Sequence, residues 1–212
     1  MSHRLLPAVL GCALVLTGGC SGDRRAASPE ATRAGTALLE VADLPDGYMV
    51  SPPQAVPEMS AQTTVSVEGC GPLLERFRAG GGDGTATVRF EGGGTGPFVA
   101  EELSTDGAEL ARQRDLTRRC ATFTETGADG DTTTVTVSAV ADFPGLGDET
   151  AAFRMAVSGG AGDAAYTLSG YLVLVRLGAT TCILVHFGQS AVDRSETEAV
   201  AEAAVRKVRQ RQ

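Results

Sequence analysis

The stretch from Tyr166 to Phe187 limits the possible folds more than any other part of this 212-residue chain. Aliphatic residues run almost unbroken on either side of Gly178-Ala179, a pair suited to a two-residue hairpin turn with glycine first. That turn predicts that Leu177 faces Thr180, Val175 faces Cys182, Val173 faces Leu184 and Tyr171 faces His186 on one side. Leu172, Leu174, Ile183, Val185 and Phe187 then share the other side, because successive side chains of a strand alternate between its faces. A hairpin apolar on both sides requires cover on both. We therefore expect it at the centre of an antiparallel sheet, in an α+β fold with helices packed on both faces of the sheet and one disulfide.

The rest of the chain supplies partners for such a centre. Thr85 to Glu91 and Pro97 to Leu103 read as a second hairpin across a glycine-rich link, and Thr132 to Val140 and Ala151 to Ser158 read as further strands. A short strand over Thr63 to Val67 and short helices over Thr36 to Ala42 and after Cys70-Gly71-Pro72 are also expected. Ser104-Thr105-Asp106, followed by Glu109, opens a helix to about Cys120. Leu110, Gln113, Leu116, Thr117 and Cys120 fall on one stripe of it. A last helix from Asp193 or Ser195 buries Thr197, Val200, Ala201, Ala204, Val205 and Val208, with acids at its start and basic residues at its end to suit the helix dipole. The glycine runs at 80–84 and 92–96 lack the Lys-Ser/Thr and helix start of a phosphate loop. Gly127 to Asp131 lacks the spacing of a calcium loop and reads as a turn.

At the other end of the chain, a basic start at His3-Arg4 precedes an apolar run from Leu5 to Leu16 and then Thr17-Gly18-Gly19-Cys20. About 12 apolar residues at about 1.5 Å each span about 18 Å, well short of a hydrocarbon core of about 30 Å. The segment reads as an export signal, and its end resembles the lipobox of bacterial lipoproteins, with Cys20 as the residue that receives the lipid. Residues 1–19 are then a signal peptide, 20–35 a flexible tether and 36–212 one domain. The expected location is the extracytoplasmic face of the cell membrane, held through acyl chains on Cys20. Two or three chains suffice where one does not, since each buried methylene contributes about 0.8 kcal/mol. Loss of Arg4 with the signal takes the net charge from −8 to −9, which disfavours nucleic acid as a partner. One lysine, no asparagine and abundant alanine, glycine and arginine point to GC-rich coding, as in actinobacteria.

After processing, Cys70, Cys120 and Cys182 remain in an oxidising compartment. Cys182 sits in the middle of the doubly apolar hairpin, where a small inert side chain is expected. Cys70 begins a helix and Cys120 ends one on its buried stripe, so a Cys70–Cys120 disulfide is expected. His186 is the one histidine of the mature chain and lies on the same strand face as Cys182. Four residues of strand separate them by about 13 Å, too far for a nucleophile and its base. The same distance removes a zinc site, and Glu101 and Glu102 point to opposite faces of their strand. We expect no enzyme, no metal and no cofactor. Arg176 pairs with an acid, Asp148 or Glu149, or contacts a ligand, while Tyr171 and His186 end the core near a pocket mouth; these three are the candidate pocket residues.

Leu44-Pro45-Asp46-Gly47-Tyr48, a cysteine before a short helix, a helix ending Leu116 to Cys120, Gly147-Asp148-Glu149 before a strand, and Val175-Arg176-Leu177-Gly178 follow one another along the chain. In that order they resemble the extracytoplasmic sensor-like domain of the mycobacterial kinase PknH and its lipoprotein relatives in actinomycetes. The chain departs from that domain in having cysteines for one disulfide where the kinase domain carries two, and Tyr48 where tryptophan is common. The resemblance implies a central antiparallel sheet and a role in ligand binding or sensing, and it supplies no ligand. The alternative is a structural or protein-interaction lipoprotein of the envelope without a small ligand.

Overall fold

A computed structural model describes residues 35–51, 64–74, 86–162 and 165–211. The export signal, Cys20 and most of the tether lie outside these residues. The described chain is dominated by one nine-stranded sheet in the order β1-β3-β4-β9-β8-β7-β6-β5-β2, with every pairing antiparallel. The strands are β1 (Met49–Val50), β2 (Thr64–Val65), β3 (Ala86–Glu91), β4 (Phe98–Ser104), β5 (Thr122–Thr126), β6 (Thr132–Ala139), β7 (Glu149–Gly159), β8 (Tyr166–Leu177) and β9 (Thr180–Gly188). Helix α1 spans Glu109–Arg119 and α2 spans Arg194–Arg211.

The β8–β9 hairpin is central and has the register set by its turn: Leu177 faces Thr180, Val175 faces Cys182, Val173 faces Leu184 and Tyr171 faces His186. Gly178 takes a φ of +58°, the left-handed conformation that glycine adopts without a Cβ penalty. A second glycine, Gly170, permits close approach: a Cβ there would lie 2.0 Å from the carbonyl oxygen of His186. Side chains at that position would push β8 and β9 apart.

Each face of the sheet carries its own apolar cluster. Val173, Val175, Leu177, Cys182, Leu184, Val99 and Phe90 meet Val200, Ala201, Ala204, Val205 and Val208 of α2 and the segment Ala37–Leu39. Leu172, Leu174, Ile183, Val185, Phe153 and Met155 meet Leu73, Leu74, Leu110, Leu116 and the Cys70–Cys120 disulfide. The bridge joins residues 50 apart, beside a helical turn at 71–74 and at the C-terminal end of α1. Cys182 is a free, buried thiol.

The expected α+β architecture with helices packed on both faces is corrected by this structure. The described chain is mostly sheet, and the helices among the described residues are too short to form a layer on each face. Nine strands about 4.8 Å apart make a sheet nearly 40 Å wide, several times the roughly 10 Å diameter of a helix. α2 lies over β8 and β9, and α1 lies beside β7 and β8. A second difference concerns the segment after Gly35. The expected helix from Thr36 to Ala42 is replaced by irregular chain and a 3-10 turn at Val41–Asp43, and the Leu39 N–H is donated to Glu101 Oε2 at 2.6 Å.

Candidate functional site

The alternation that buries both faces of β4 also buries its two acids. Glu101 and Glu102 are 0% and 2% exposed, on opposite faces of a strand hydrogen-bonded to β3 and β9. Glu101 accepts the Leu39 N–H and the Cys182 thiol at 3.5 Å. Burial raises its pKa to about 7 against the pull of those two donors. Burial and the Glu101 carboxylate together push the Cys182 thiol well above its ordinary value.

Diagonal to Glu101 on the same face is His186, fully buried. Its Nδ1 lies 2.9 Å from Thr197 Oγ1 and its Nε2 lies 3.1 Å from the Tyr48 hydroxyl. Thr197 donates to the carbonyl of Asp193, and Tyr48 donates to Glu196 at 2.8 Å. A hydroxyl has one proton, so with both of those bonds made each ring nitrogen must itself donate. Burial lowers the His186 pKa to about 4 in spite of nearby Asp193, and a neutral ring donates from one nitrogen only. The network is one proton short at neutral pH, and one hydroxyl must turn.

Where β6 ends, the sheet is open. Its Ala139 pairs with Phe153, so β7 residues 149–152 run on beyond it. The Val140 N–H returns to the carbonyl of Ala152 at 2.8 Å, and Arg114 of α1 donates to the carbonyl of Thr150 at 2.9 Å and to Glu149. Between these elements lies a groove of about 620 Å³ lined by Ala111, Arg114 and Arg118 of α1, by residues 139–141 and Phe143, and by residues 149–153 of β7. Alanines at 111, 139, 141, 151 and 152 leave the space unfilled.

The sequence-derived pocket residues do not converge on this groove. Tyr171 and His186 are neighbours across β8 and β9, with Tyr171 half-buried and His186 sealed beneath Tyr48 and the first turn of α2. Arg176 lies on the opposite face near the hairpin turn, 3.7 Å from Asp148 and 3.5 Å from Glu149. Among the described residues no three His, Cys, Asp or Glu side chains are grouped to hold a metal ion, and no helix is long and apolar enough to cross a membrane.

Sequence reasoning missed three things here. The burial of Glu101 and Glu102 was signalled by their neighbours Val99, Ala100 and Leu103, which alternate onto two apolar faces. The contact of Tyr48 with His186, 138 residues away, had no local signal. Nor did the groove, which depends on where one strand stops relative to another.

The order and pairing of nine antiparallel strands, with one helix laid over the central pair, can be set beside solved structures. The fold is similar to that of the extracellular domain of PknH. That domain, from Mycobacterium tuberculosis, superposes with a TM-score of 0.51 over 82% of this chain and 93% of its own length, at 15% sequence identity. At that identity the likeness to PknH is one of fold. No family model matches the chain, and no curated protein matches it either.

Proposed function

We propose that this chain is a lipid-anchored, extracytoplasmic module that binds a small ligand or senses it, without catalysis. The observation that carries this reading is the groove beside the end of β6, whose volume of about 620 Å³ lies in the range of small-molecule sites. The fold of the PknH extracellular domain and a disulfide of the kind retained outside the cytoplasm support the placement. Cys182 and His186 are buried and bonded to Glu101, Tyr48 and Thr197, so neither is presented to a substrate.

Anchoring and binding are tested apart. Cys20→Ala is expected to release the protein from membranes or leave it unprocessed; fractionation that finds the variant trimmed and still fully membrane-bound refutes the anchor. For the groove, Ala111 is exposed on α1 and lines the cavity, so Ala111→Phe fills it without entering the core. A neutral fluorescent probe, phenylnaphthylamine, is expected to bind the exported chain and to lose at least tenfold in affinity in Ala111→Phe. Unchanged binding in a variant that melts normally places the site elsewhere.

A further inference from the structure

We infer that the groove beside β6 selects a free amphiphile with an apolar body and one anionic group, held by Arg118; the inference rests on the groove being the binding site. The charges around it do not cancel. Arg114 and Arg176 share Glu149, and Arg176 also faces Asp148, so these two cations meet two carboxylates. Next to Arg114 on α1, Asp115 serves both Arg118 at 2.8 Å and Arg119 at 3.0 Å. Of these two guanidiniums Arg118 alone lines the groove, and because it shares its carboxylate with Arg119 its charge is incompletely offset, in a chain whose net charge is −8.

The two lining arginines have different tasks. Arg114 is spent on the unpaired edge of β7, through Thr150 O and Glu149, and so builds the wall. Arg118 lines the groove with its side chain 77% exposed and, among the described residues, is held by Asp115 of its own helix, through Nη2. Its other N–H groups remain in the planar fork that matches a carboxylate, sulfonate or phosphate. The rest of the lining is Phe143, Phe153, Val140 and the alanines, with Thr150 and with Glu149, whose carboxylate is paired with Arg114. A volume of this size accommodates a drug-sized molecule or a single alkyl chain, not a diacyl lipid.

A matched pair of probes reads the charge alone: anilinonaphthalene sulfonate, and phenylnaphthylamine, the same rings without the sulfonate. With the exported chain carrying Cys20→Ala, free of lipid, the sulfonate is expected to bind about tenfold more tightly than the neutral probe at low salt, and the advantage shrinks as exposed charges are screened. Arg118→Ala removes that advantage, so that the two probes bind with equal affinity, Arg118→Lys retains part of it, and dodecanoate displaces the sulfonate. Equal affinities for the two probes, both lost in Ala111→Phe, overturn the anion preference while leaving the groove as a binding site. If Ala111→Phe changes neither probe, both readings fail. Sedimentation with phosphatidylglycerol vesicles that depends on Arg118, with no sulfonate preference in solution, also overturns the inference and assigns the arginine to lipid headgroups. Melting temperatures within about 2 °C of the parent show that each variant is folded.

Discussion

Replacing Cys70 and Cys120 together by alanine is expected to lower the free energy of unfolding by about 4 kcal/mol and the melting temperature by on the order of 10 °C. The bridge closes a loop of 50 residues, and the entropy it removes from the unfolded chain scales with the logarithm of that length. In the folded state both cysteines are fully buried in the apolar cluster formed by Leu73, Leu74, Leu110, Leu116 and Phe123, so alanine also leaves part of that space unfilled. Urea unfolding of the double variant against the parent, with unchanged slope, measures the loss. A difference below about 1 kcal/mol would show that the segment around Cys70 is held by its packing and that the bridge adds little. Reductant added to the folded parent should act slowly, because the sulfur atoms are out of solvent until the cluster opens.

The second large effect is a dependence of stability on pH that single substitutions expose. His186 titrates near 4 in the folded protein against 6.5 in a free side chain. Between those values the unfolded chain binds the extra proton, so the histidine lowers stability as pH falls from 6.5 towards 4. Glu101 behaves in the opposite sense. Its pKa is about 7 when folded against 4.5 when free, so the folded protein holds the extra proton in that interval and stability falls as pH rises from 4.5 to 7. Each shift corresponds to about 3 kcal/mol. The slopes oppose one another over the shared interval, so the parent's melting temperature should change little between pH 4.5 and 6.5 on their account.

Glu101→Gln leaves the histidine slope alone, and the variant should gain stability steadily as pH rises from 4 to 6.5. His186→Gln leaves the glutamate slope, and that variant should lose stability from pH 4.5 to 7. Melting temperatures at half-unit intervals check the shapes of the curves, which matter more than the absolute loss from each substitution. Parallel curves for parent and both variants would mean that neither group titrates in the folded state as its burial requires. The groups that face His186, namely Tyr48 from the segment before β1 and Thr197, Glu196 and Asp193 around the first turn of α2, also set where the missing proton enters. Protonation of the ring lets both Tyr48 and Thr197 keep their other bonds, so acid should tighten this junction locally even as it destabilises the fold.

Periodic patterns told what is buried, and the turn told how the central hairpin pairs. Gly178-Ala179 and the alternation around it contain the register of β8 and β9, because a two-residue turn leaves one way to close and a period of two leaves one way to distribute side chains. The stripe Leu110, Gln113, Leu116, Thr117, Cys120 likewise marks the inner face of α1, and the small residues of α2 mark its own. Such patterns do not say what does the burying. An apolar sheet face reads the same under a layer of helices, under a single helix or under an irregular segment, and this is why helices were expected on both faces of a molecule that is mostly sheet.

Tertiary structure alone decided the rest. Leu39 meets Glu101 across 62 residues and Tyr48 meets His186 across 138, and both contacts depend on where the segment after Gly35 lies once the sheet has formed. The groove exists because β6 stops at Ala139 while β7 continues to Glu149, a mismatch between two strands that neither strand encodes by itself. Local sequence determines which side of an element turns inward through its own repeat. Long-range packing determines which charged group is left without water and where a gap remains, because both depend on neighbours distant in the chain.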